Sequence, residues 1–329
     1  MRLTFTLFLA LFMNAIFGQQ LTEKYWETFK PRSVGPAGMS GRVTAIDVVA
    51  DNPEEIYIGT ASGGLWKSED GGIRWKPIFD EVEVNSVGAI AIQQNNPDVI
   101  WAGTGEGNPR NSHTSGAGIY KSIDGGVTWK LMGLEQSKTI HRIIIHRDNP
   151  DVVFVASLGS AWGPNEERGV FRTIDGGKTW SKILYNNETT GCADLIVDPS
   201  NPNKLIAAMW QYQRWPYHFK SGGEGSGMYI TYDAGETWTK RTQKEGIPKG
   251  EIGRIGLAIS AANPNKIYAL IESKSTALYH SLDGGLNWKK ITDKNIGNRP
   301  FYYADIYADP SNENTLFNLY SVTDKSIDG

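Results

Sequence analysis

One short phrase, Ser/Thr-x-Asp-x-Gly-x-x-Trp, recurs along the chain and constrains its fold more than any other feature. Complete copies span residues 68–75, 122–129, 173–180, 231–238 and 281–288, and a sixth opens at residue 326. The Asp and Ser/Thr side chains can bond local backbone amides, and Gly accepts the positive φ that a tight turn requires. Each copy, called an Asp box here, therefore predicts a hairpin turn in which the carboxylate is structural: Asp70, Asp124, Asp175, Asp233 and Asp283.

A second turn signal alternates with the Asp boxes. It is Asn-Pro at positions 52, 96, 149, 201 and 263, with the variant Pro310-Ser311-Asn312 in the last repeat. The residues on both sides are β-rich, so one unit has the order strand, Asn-Pro turn, strand, loop, strand, Asp-box turn, strand. Four strands in roughly 45 to 60 residues are typical of a β-propeller blade. A parallel β-helix is the alternative, but its repeats are shorter.

The predicted fold class is therefore all-β, a β-propeller with five complete four-stranded blades and a partial sixth. Residues 24–31 resemble the fourth strand of the first unit, and we expect them to supply the outer strand of the closing blade. Two interpretations are possible. In the first, that strand completes a six-bladed ring; in the second, which is favoured, the chain is a fragment of a larger propeller. The expected blades span residues 36–80, 85–133, 138–184, 190–242, 252–292 and, for the partial blade, 300–329.

The N-terminal residues predict export. A positive start at Arg2, an apolar stretch from Thr4 to Phe17 and a polar exit after Gly18 form the pattern of a secretory signal peptide. Residues 1–18 are thus assigned to the signal and 19–329 to the propeller, and we expect a secreted, periplasmic or cell-surface protein. A membrane anchor, the alternative, needs roughly 20 apolar residues, so no integral membrane segment is expected in the mature chain.

Composition and motifs exclude several functions. The formal net charge is −3, so the chain does not have the excess of basic residues that is typical of a nucleic-acid-binding protein. The sequence has no His/Cys pattern with metal-ligand spacing, no phosphate loop and no nucleophile motif, so we expect no metal and no cofactor. The single cysteine, Cys192, lies in an apolar run and is expected to be a buried hydrophobe.

The loops between the second and third strands are uneven, and they suggest a binding face. The interval from the Asn-Pro turn to the Asp box is longest in units two, three and four, and these loops share one face of the propeller. Aromatic and charged residues on irregular loops are typical of binding surfaces. Alternatively, the aromatic residues cover their own loops and fill gaps between blades. The candidate ligand-binding residues are Glu106, Asn108, Arg110, His113, Trp162, Glu166, Arg168, Trp210, Arg214, Trp215, Tyr217 and His218.

Basic residues near the starts of the innermost strands lie on the same face. They can hold an anionic ligand in the axial channel, or they can pair with loop carboxylates such as Glu106 and Glu251, which is the favoured interpretation. This set comprises Arg42, His141, Arg142, Arg254 and Arg299. No pair of carboxylates is singled out by spacing, so the catalytic residues stay unknown.

Together with Gly103-Thr-Gly-Glu-Gly-Asn-Pro109, the Asp boxes and Asn-Pro turns resemble the sortilin-type N-terminal β-propeller family, including its exported bacterial members labelled BNR-repeat glycosyl hydrolases. The resemblance covers the chain from about residue 30 and implies a large ring, ten-bladed in sortilins, of which this is the first half. No ligand-binding residue of that family is matched in this sequence.

Two functions are compatible with these features. The first is an exported binding module that recognises a peptide, protein or glycan on the face with the long loops. The alternative is a xyloglucanase-like glycoside hydrolase that uses loop carboxylates on the same face.

Overall fold

The computed structural model describes residues 42–297, 299–302, 305–320 and 322–329. The signal peptide expected at residues 1–18 and the outer strand expected at residues 24–31 lie outside them. The described residues form an all-β fold with one short 3₁₀ helix, Gln243–Glu245.

Six consecutive antiparallel sheets make up the fold, and each corresponds to one sequence repeat. Five of them contain four or more strands, and the sixth contains three. The prediction of five complete blades and a partial sixth is confirmed.

The first three blades each have four strands in sequential order. Blade one contains β1 Val43–Val49, β2 Asn52–Thr60, β3 Leu65–Ser68 and β4 Lys76–Pro77. Blade two contains β5 Val87–Ile92, β6 Ile100–Thr104, β7 Ile119–Ser122 and β8 Lys130–Leu131. Blade three contains β9 Ile140–Ile145, β10 Val153–Ser157, β11 Gly169–Thr173 and β12 Ser181–Leu184.

The last three blades repeat this order, with one addition in blade four. Blade four contains β13 Thr190–Asp198, β14 Asn201–Arg214, β15 Phe219–Ser221, β16 Gly227–Thr231 and β17 Thr239–Lys240. Blade five contains β18 Ile252–Ser260, β19 Asn263–Ser273, β20 Ala277–Ser281 and β21 Lys289–Thr292. The sixth contains β22 Asp305–Asp309, β23 Asn312–Leu319 and β24 Thr323–Ser326.

The Asp box forms the predicted turn between the third and fourth strands. In blade two the Asp124 Oδ1 accepts hydrogen bonds from the Ser122 hydroxyl at 2.7 Å and from the Thr128 amide at 2.9 Å. Its Oδ2 accepts one from the Thr128 hydroxyl at 2.6 Å. The other four complete boxes repeat this geometry at Asp70, Asp175, Asp233 and Asp283. The carboxylates thus hold their own turns together.

The two kinds of turn lie on one face of the propeller, as the repeat order predicts. In each blade the amide after the box Asp donates to the carbonyl two residues after the Asn of the neighbouring turn. These bonds are 2.9 to 3.0 Å long and join residues 71 to 54, 125 to 98, 176 to 151, 234 to 203, 284 to 265 and 329 to 314. The loops between second and third strands therefore emerge at the opposite face.

The hydrophobic core lies between neighbouring blades. One cluster joins Trp101 and Ile119 of blade two to Ile140 and Phe171 of blade three. Another joins Ile206 and its neighbours in blade four to blade five. Burying apolar faces of adjacent sheets against each other is what stabilises a stack of blades that share no strand.

The insertion in blade four is a hairpin and not the loop that its length suggests. Strand β14 continues to Arg214 and pairs with β15, with Tyr212 opposite Ser221. Trp210, Tyr212 and Arg214 are buried, whereas the intervening Gln211 and Gln213 are partly exposed. This alternation has the period of two that defines an extended strand.

Candidate functional site

The long loops of blades two, three and four form one continuous surface. The Arg214 amide donates to the Ala161 carbonyl at 2.7 Å, which joins the blade-four hairpin to the blade-three loop. The rings of His113 and Trp162 lie 6.3 Å apart and join the blade-three loop to that of blade two. We call this the loop surface, made of residues 105–118, 158–168 and 211–222.

Several of the candidate residues are accessible on the loop surface. Trp162 exposes 41% of its surface and Tyr217 exposes 89%. Glu166 and His218 are also exposed, and Trp215 is partly buried beside His218 with ring centroids 5.6 Å apart. These side chains are therefore at least partly accessible from solvent.

Four other candidates, Trp210, Arg168, Glu106 and Arg214, are buried, which corrects their expected role as ligand contacts. Trp210 is 0% exposed, stacks on Tyr212 at 4.3 Å and donates through Nε1 to the Ser221 hydroxyl at 2.9 Å. Arg168 is also 0% exposed and donates to the backbone carbonyls of Ser160, Gly163 and Thr189. Glu106 and Arg214 are described next. These residues build the loops and present little or no surface to a ligand.

The Glu106 carboxylate is held by Arg42 through two parallel hydrogen bonds. Arg42 Nε and Nη2 each lie 2.7 Å from a carboxylate oxygen. The Glu106 side chain is 0% exposed and that of Arg42 is 34% exposed. This bidentate geometry confirms the predicted pairing of Arg42 with a loop carboxylate. An acid or base role for Glu106 would require this pair to break.

Two of the remaining candidates, Asn108 and Arg214, bond residues that lie outside the long loops. Asn108 accepts a hydrogen bond from Arg254 Nη1 at 2.7 Å. Arg214 is 6% exposed and donates to the Tyr302 hydroxyl at 2.9 Å. His113 is partly buried, and burial lowers its pKa to about 4, so it is neutral at pH 7. The Arg110 carbonyl accepts from the His113 amide at 3.2 Å.

A polar network lies among the innermost strands, and we call it the axial cluster. It consists of His141, Arg142, Asp194, Arg254 and Asp305. Arg142 donates to Asp194 at 2.8 Å and to Asp305 at 3.1 Å, so it joins blades three, four and six. Arg254 Nη2 lies 3.1 Å from His141 Nε2. Burial, with Arg142 and Arg254 nearby, holds the pKa of His141 well below its ordinary value, so its ring is neutral.

The axial cluster is internally paired and does not offer a pair of free carboxylates. Asp194 also accepts from the Leu257 amide at 2.8 Å. Glu272 accepts from the Ser221 hydroxyl at 2.6 Å and from the Arg254 amide at 2.8 Å, and burial raises its pKa. Of the two carboxylates among the candidate ligand contacts, Glu106 and Glu166, only Glu166 is exposed. The carboxylates of the axial cluster, Asp194 and Asp305, are thus both bonded to Arg142.

Sequence reasoning missed Asp194, Glu272 and Asp305, which pair with the basic residues of the inner strands. Asp305 is the first residue of β22, but Asp194 is the fifth of the nine residues of β13, so position along the inner strand does not identify both. Their partners lie in other blades, up to 163 positions away in the sequence. Spacing along the chain does not identify such pairs.

Within the parts of the chain that the structure describes, no three His, Cys, Asp or Glu side chains gather as a metal site would require. No helix among those residues has the length and apolar character to cross a membrane. Cys192 is buried with a raised pKa, chiefly because of burial, as expected for a packing residue.

Comparisons with known proteins agree with the fold. The family model described as "Sortilin, neurotensin receptor 3" matches residues 117–245. A xyloglucanase of a Paenibacillus species is 24% identical over 357 aligned positions, covering 84% of this chain and 34% of the xyloglucanase. A xyloglucanase of Acetivibrio thermocellus is 26% identical over 251 positions, covering 52% of this chain and 29% of that protein.

A solved structure, described as an ancestral GH74 enzyme, superposes with a TM-score of 0.63 at 21% identity. It covers 84% of this chain and 34% of the enzyme. The chain thus spans about a third of the length of the curated relatives it matches first. The resemblance of this chain to the sortilin-type Asp-box β-propellers is thereby confirmed, with the family model covering residues 117–245.

Proposed function

We propose that this chain is a glycan-recognising β-propeller that binds a neutral polysaccharide of the xyloglucan class on its loop surface. The observation that carries the proposal is the exposure of Trp162 and Tyr217 on loops that contact one another. The curated relatives named xyloglucanases support this choice of ligand class. We also infer from residues 1–18 that the protein is exported, which mass spectrometry of the N-terminus of the mature protein tests.

Glycan binding follows from the chemistry of the exposed side chains. The C–H faces of a pyranose ring are apolar and pack against aromatic rings, while the hydroxyls around the ring bond polar groups. Trp162 and Tyr217 supply aromatic faces, and Glu166 and His218 supply polar groups beside them. Buried Arg168 and Arg214 hold the backbone underneath, so less conformational entropy is lost when a ligand binds.

Affinity electrophoresis in gels containing xyloglucan tests this proposal. We expect the native chain to be retarded, and the variants Trp162→Ala and Tyr217→Ala to be retarded less. Tyr232→Ala is the matched control, because Tyr232 is 50% exposed but lies in an Asp-box turn on the opposite face. If all three variants migrate like the wild-type protein, the loop surface is not the binding site.

Hydrolysis is the second candidate function, and the curated xyloglucanases favour it over a peptide or protein ligand. Glycoside hydrolysis usually requires two carboxyl groups roughly 5 to 10 Å apart across the substrate. Glu166 is the exposed candidate, since Glu106 is occupied by Arg42. Release of reducing ends from xyloglucan by the native chain, abolished in Glu166→Gln, would establish activity and overturn a role in binding alone.

A further inference from the structure

A cleft of about 850 Å³ lies between blades four and five on the face that carries the loops, and it borders the loop surface at Gln211 and Lys220. Its walls come from the blade-four hairpin, from the end of the outer strand β17 and from the connection that leads to β18. Its volume lies within the range of pockets that hold small molecules and short oligomers. No residue of this cleft belongs to the predicted set of ligand contacts.

Cationic side chains dominate the cleft. Lys220, Lys240, Arg241 and Lys244 line it, and the carboxylates in its lining are those of Glu224 and Glu251. None of the four cations forms an ion pair within the described ranges of the chain. The excess of positive charge favours an anionic ligand.

Two further observations indicate that this charge is available to a ligand. Arg241 is partly buried, and its Nε is buried without a hydrogen-bond partner among the described residues. A buried donor in that state is costly unless a ligand or water satisfies it. The nearby Glu245 carboxylate interacts electrostatically with Arg241, but it is bonded to the Thr242 amide at 2.7 Å and the Thr242 hydroxyl at 2.8 Å and forms no ion pair with Arg241.

The remaining lining is suited to a sugar and not to a bare inorganic anion. The amide side chains of Asn187 and Gln243 line the same cleft. The Gln243 amide supplies both a donor and an acceptor, which hydroxyl groups require. The Asn187 Oδ1 already accepts from Thr189 and Thr190, so Asn187 adds a donor through Nδ2. A ligand that carries carboxylates on a hydroxyl-rich backbone matches both the cations and the amides.

We propose that this cleft binds an acidic oligosaccharide, a short glycan whose sugars carry carboxylate groups. The cations hold the carboxylates and the amides hold the hydroxyls. The cleft is distinct from the aromatic residues Trp162 and Tyr217, so the proposal does not depend on xyloglucan binding to the loop surface.

Isothermal titration of the full chain with an oligogalacturonate tests the proposal. We expect saturable binding that weakens at high salt, and a loss of about tenfold or more in affinity in the double variant Lys220→Gln/Lys244→Gln. The control is Lys130→Gln/Lys178→Gln, which removes the same charge from two exposed lysines in blades two and three. The neutral cello-oligosaccharide of equal length should not compete.

Three outcomes overturn the assignment. The first is no saturable binding of oligogalacturonate. The second is equal affinity in the two double variants, which means nonspecific attraction to surface lysines. The third is displacement by inorganic phosphate at concentrations equal to those of the oligogalacturonate, which means a general anion site. All four substituted lysines are exposed, so circular dichroism should show the wild-type fold in both variants.

Discussion

At the scale of single residues, burial divides the candidate residues into those that hold the loops together and those that a ligand can reach. Glu106, Arg168 and Trp210 have side chains with the chemistry of a binding site, yet all three are fully buried and bonded within the protein. Trp162 and Tyr217 have similar chemistry and are exposed. Residue type in the sequence does not distinguish the two groups, because burial depends on neighbouring loops.

The Arg42–Glu106 pair gives a prediction about stability. Glu106→Gln keeps the shape of the side chain but removes its charge, and Arg42 then loses a bidentate carboxylate partner. We expect a loss of about 1 to 3 kcal/mol in the free energy of unfolding, measured by urea denaturation. Glu166→Gln is the control and should be neutral, because Glu166 is exposed. Equal midpoints for both variants would show that the pair contributes little.

At the scale of the element, the Trp of the Asp box is hydrogen-bonded to the preceding blade in blades two and three. Trp129 Nε1 donates to the Ile78 carbonyl at 2.7 Å, and its ring packs on Phe79 at 5.1 Å, both in blade one. Trp180 of blade three donates to the Met132 carbonyl in blade two at 2.7 Å. In these two blades the box therefore has two functions, since its carboxylate closes the turn and its Trp bonds the preceding blade, whereas Trp288 of blade five bonds the Gly285 carbonyl in its own turn.

Substituting the box Trp distinguishes these two functions. Trp180→Phe keeps an aromatic ring but leaves the Met132 carbonyl without its donor, so we expect a loss of about 1 to 3 kcal/mol in unfolding free energy. Trp75→Phe is the matched control, because Trp75 donates to the Gly72 carbonyl within its own turn at 2.9 Å. Calorimetry of both variants measures the difference. Equal losses would contradict a special role in contacts between blades.

The sequence predicts elements that are determined by residues close together in the chain, such as turns. It does not predict the contacts between blades. The Asp-box turns follow from residues within eight positions of one another, and the structure contains them as expected. The length of the blade-four insertion predicts a loop, but the structure contains a hairpin. The alternation of Trp210, Tyr212 and Arg214 with polar residues is typical of a strand. The Arg142–Asp305 pair joins blades three and six, and no local pattern encodes it.

At the scale of the whole molecule, the repetition of one turn makes stability depend on pH in a defined range. Hydrogen bonds to the box carboxylates lower their pKa to about 2 in Asp70, Asp124, Asp233 and Asp283. The pKa of an unfolded Asp is about 3.9, so the stabilisation is complete above that value and is lost as pH falls toward 2. Glu272 and Asp47 have raised pKa values and oppose this loss in part.

Urea denaturation at a series of pH values tests this effect. We expect the contribution of the boxes to be constant from pH 7 to about 5 and to decrease between about pH 4 and pH 2. In Asp124→Asn the group that titrates is absent, so the decrease on acidification should be smaller than in the wild-type protein. A midpoint that does not change down to pH 2 would show that these carboxylates do not stabilise the fold.

The bond between the two turns of each blade has a further consequence for how such proteins vary. Every one of the six bonds, such as that from Gly125 to Asp98, begins and ends within a single repeat. Because this bond forms within one repeat, it does not depend on the number of repeats in the chain. Duplication or loss of a repeat therefore leaves the turn-to-turn bond of each remaining copy intact and changes only the contacts between sheets.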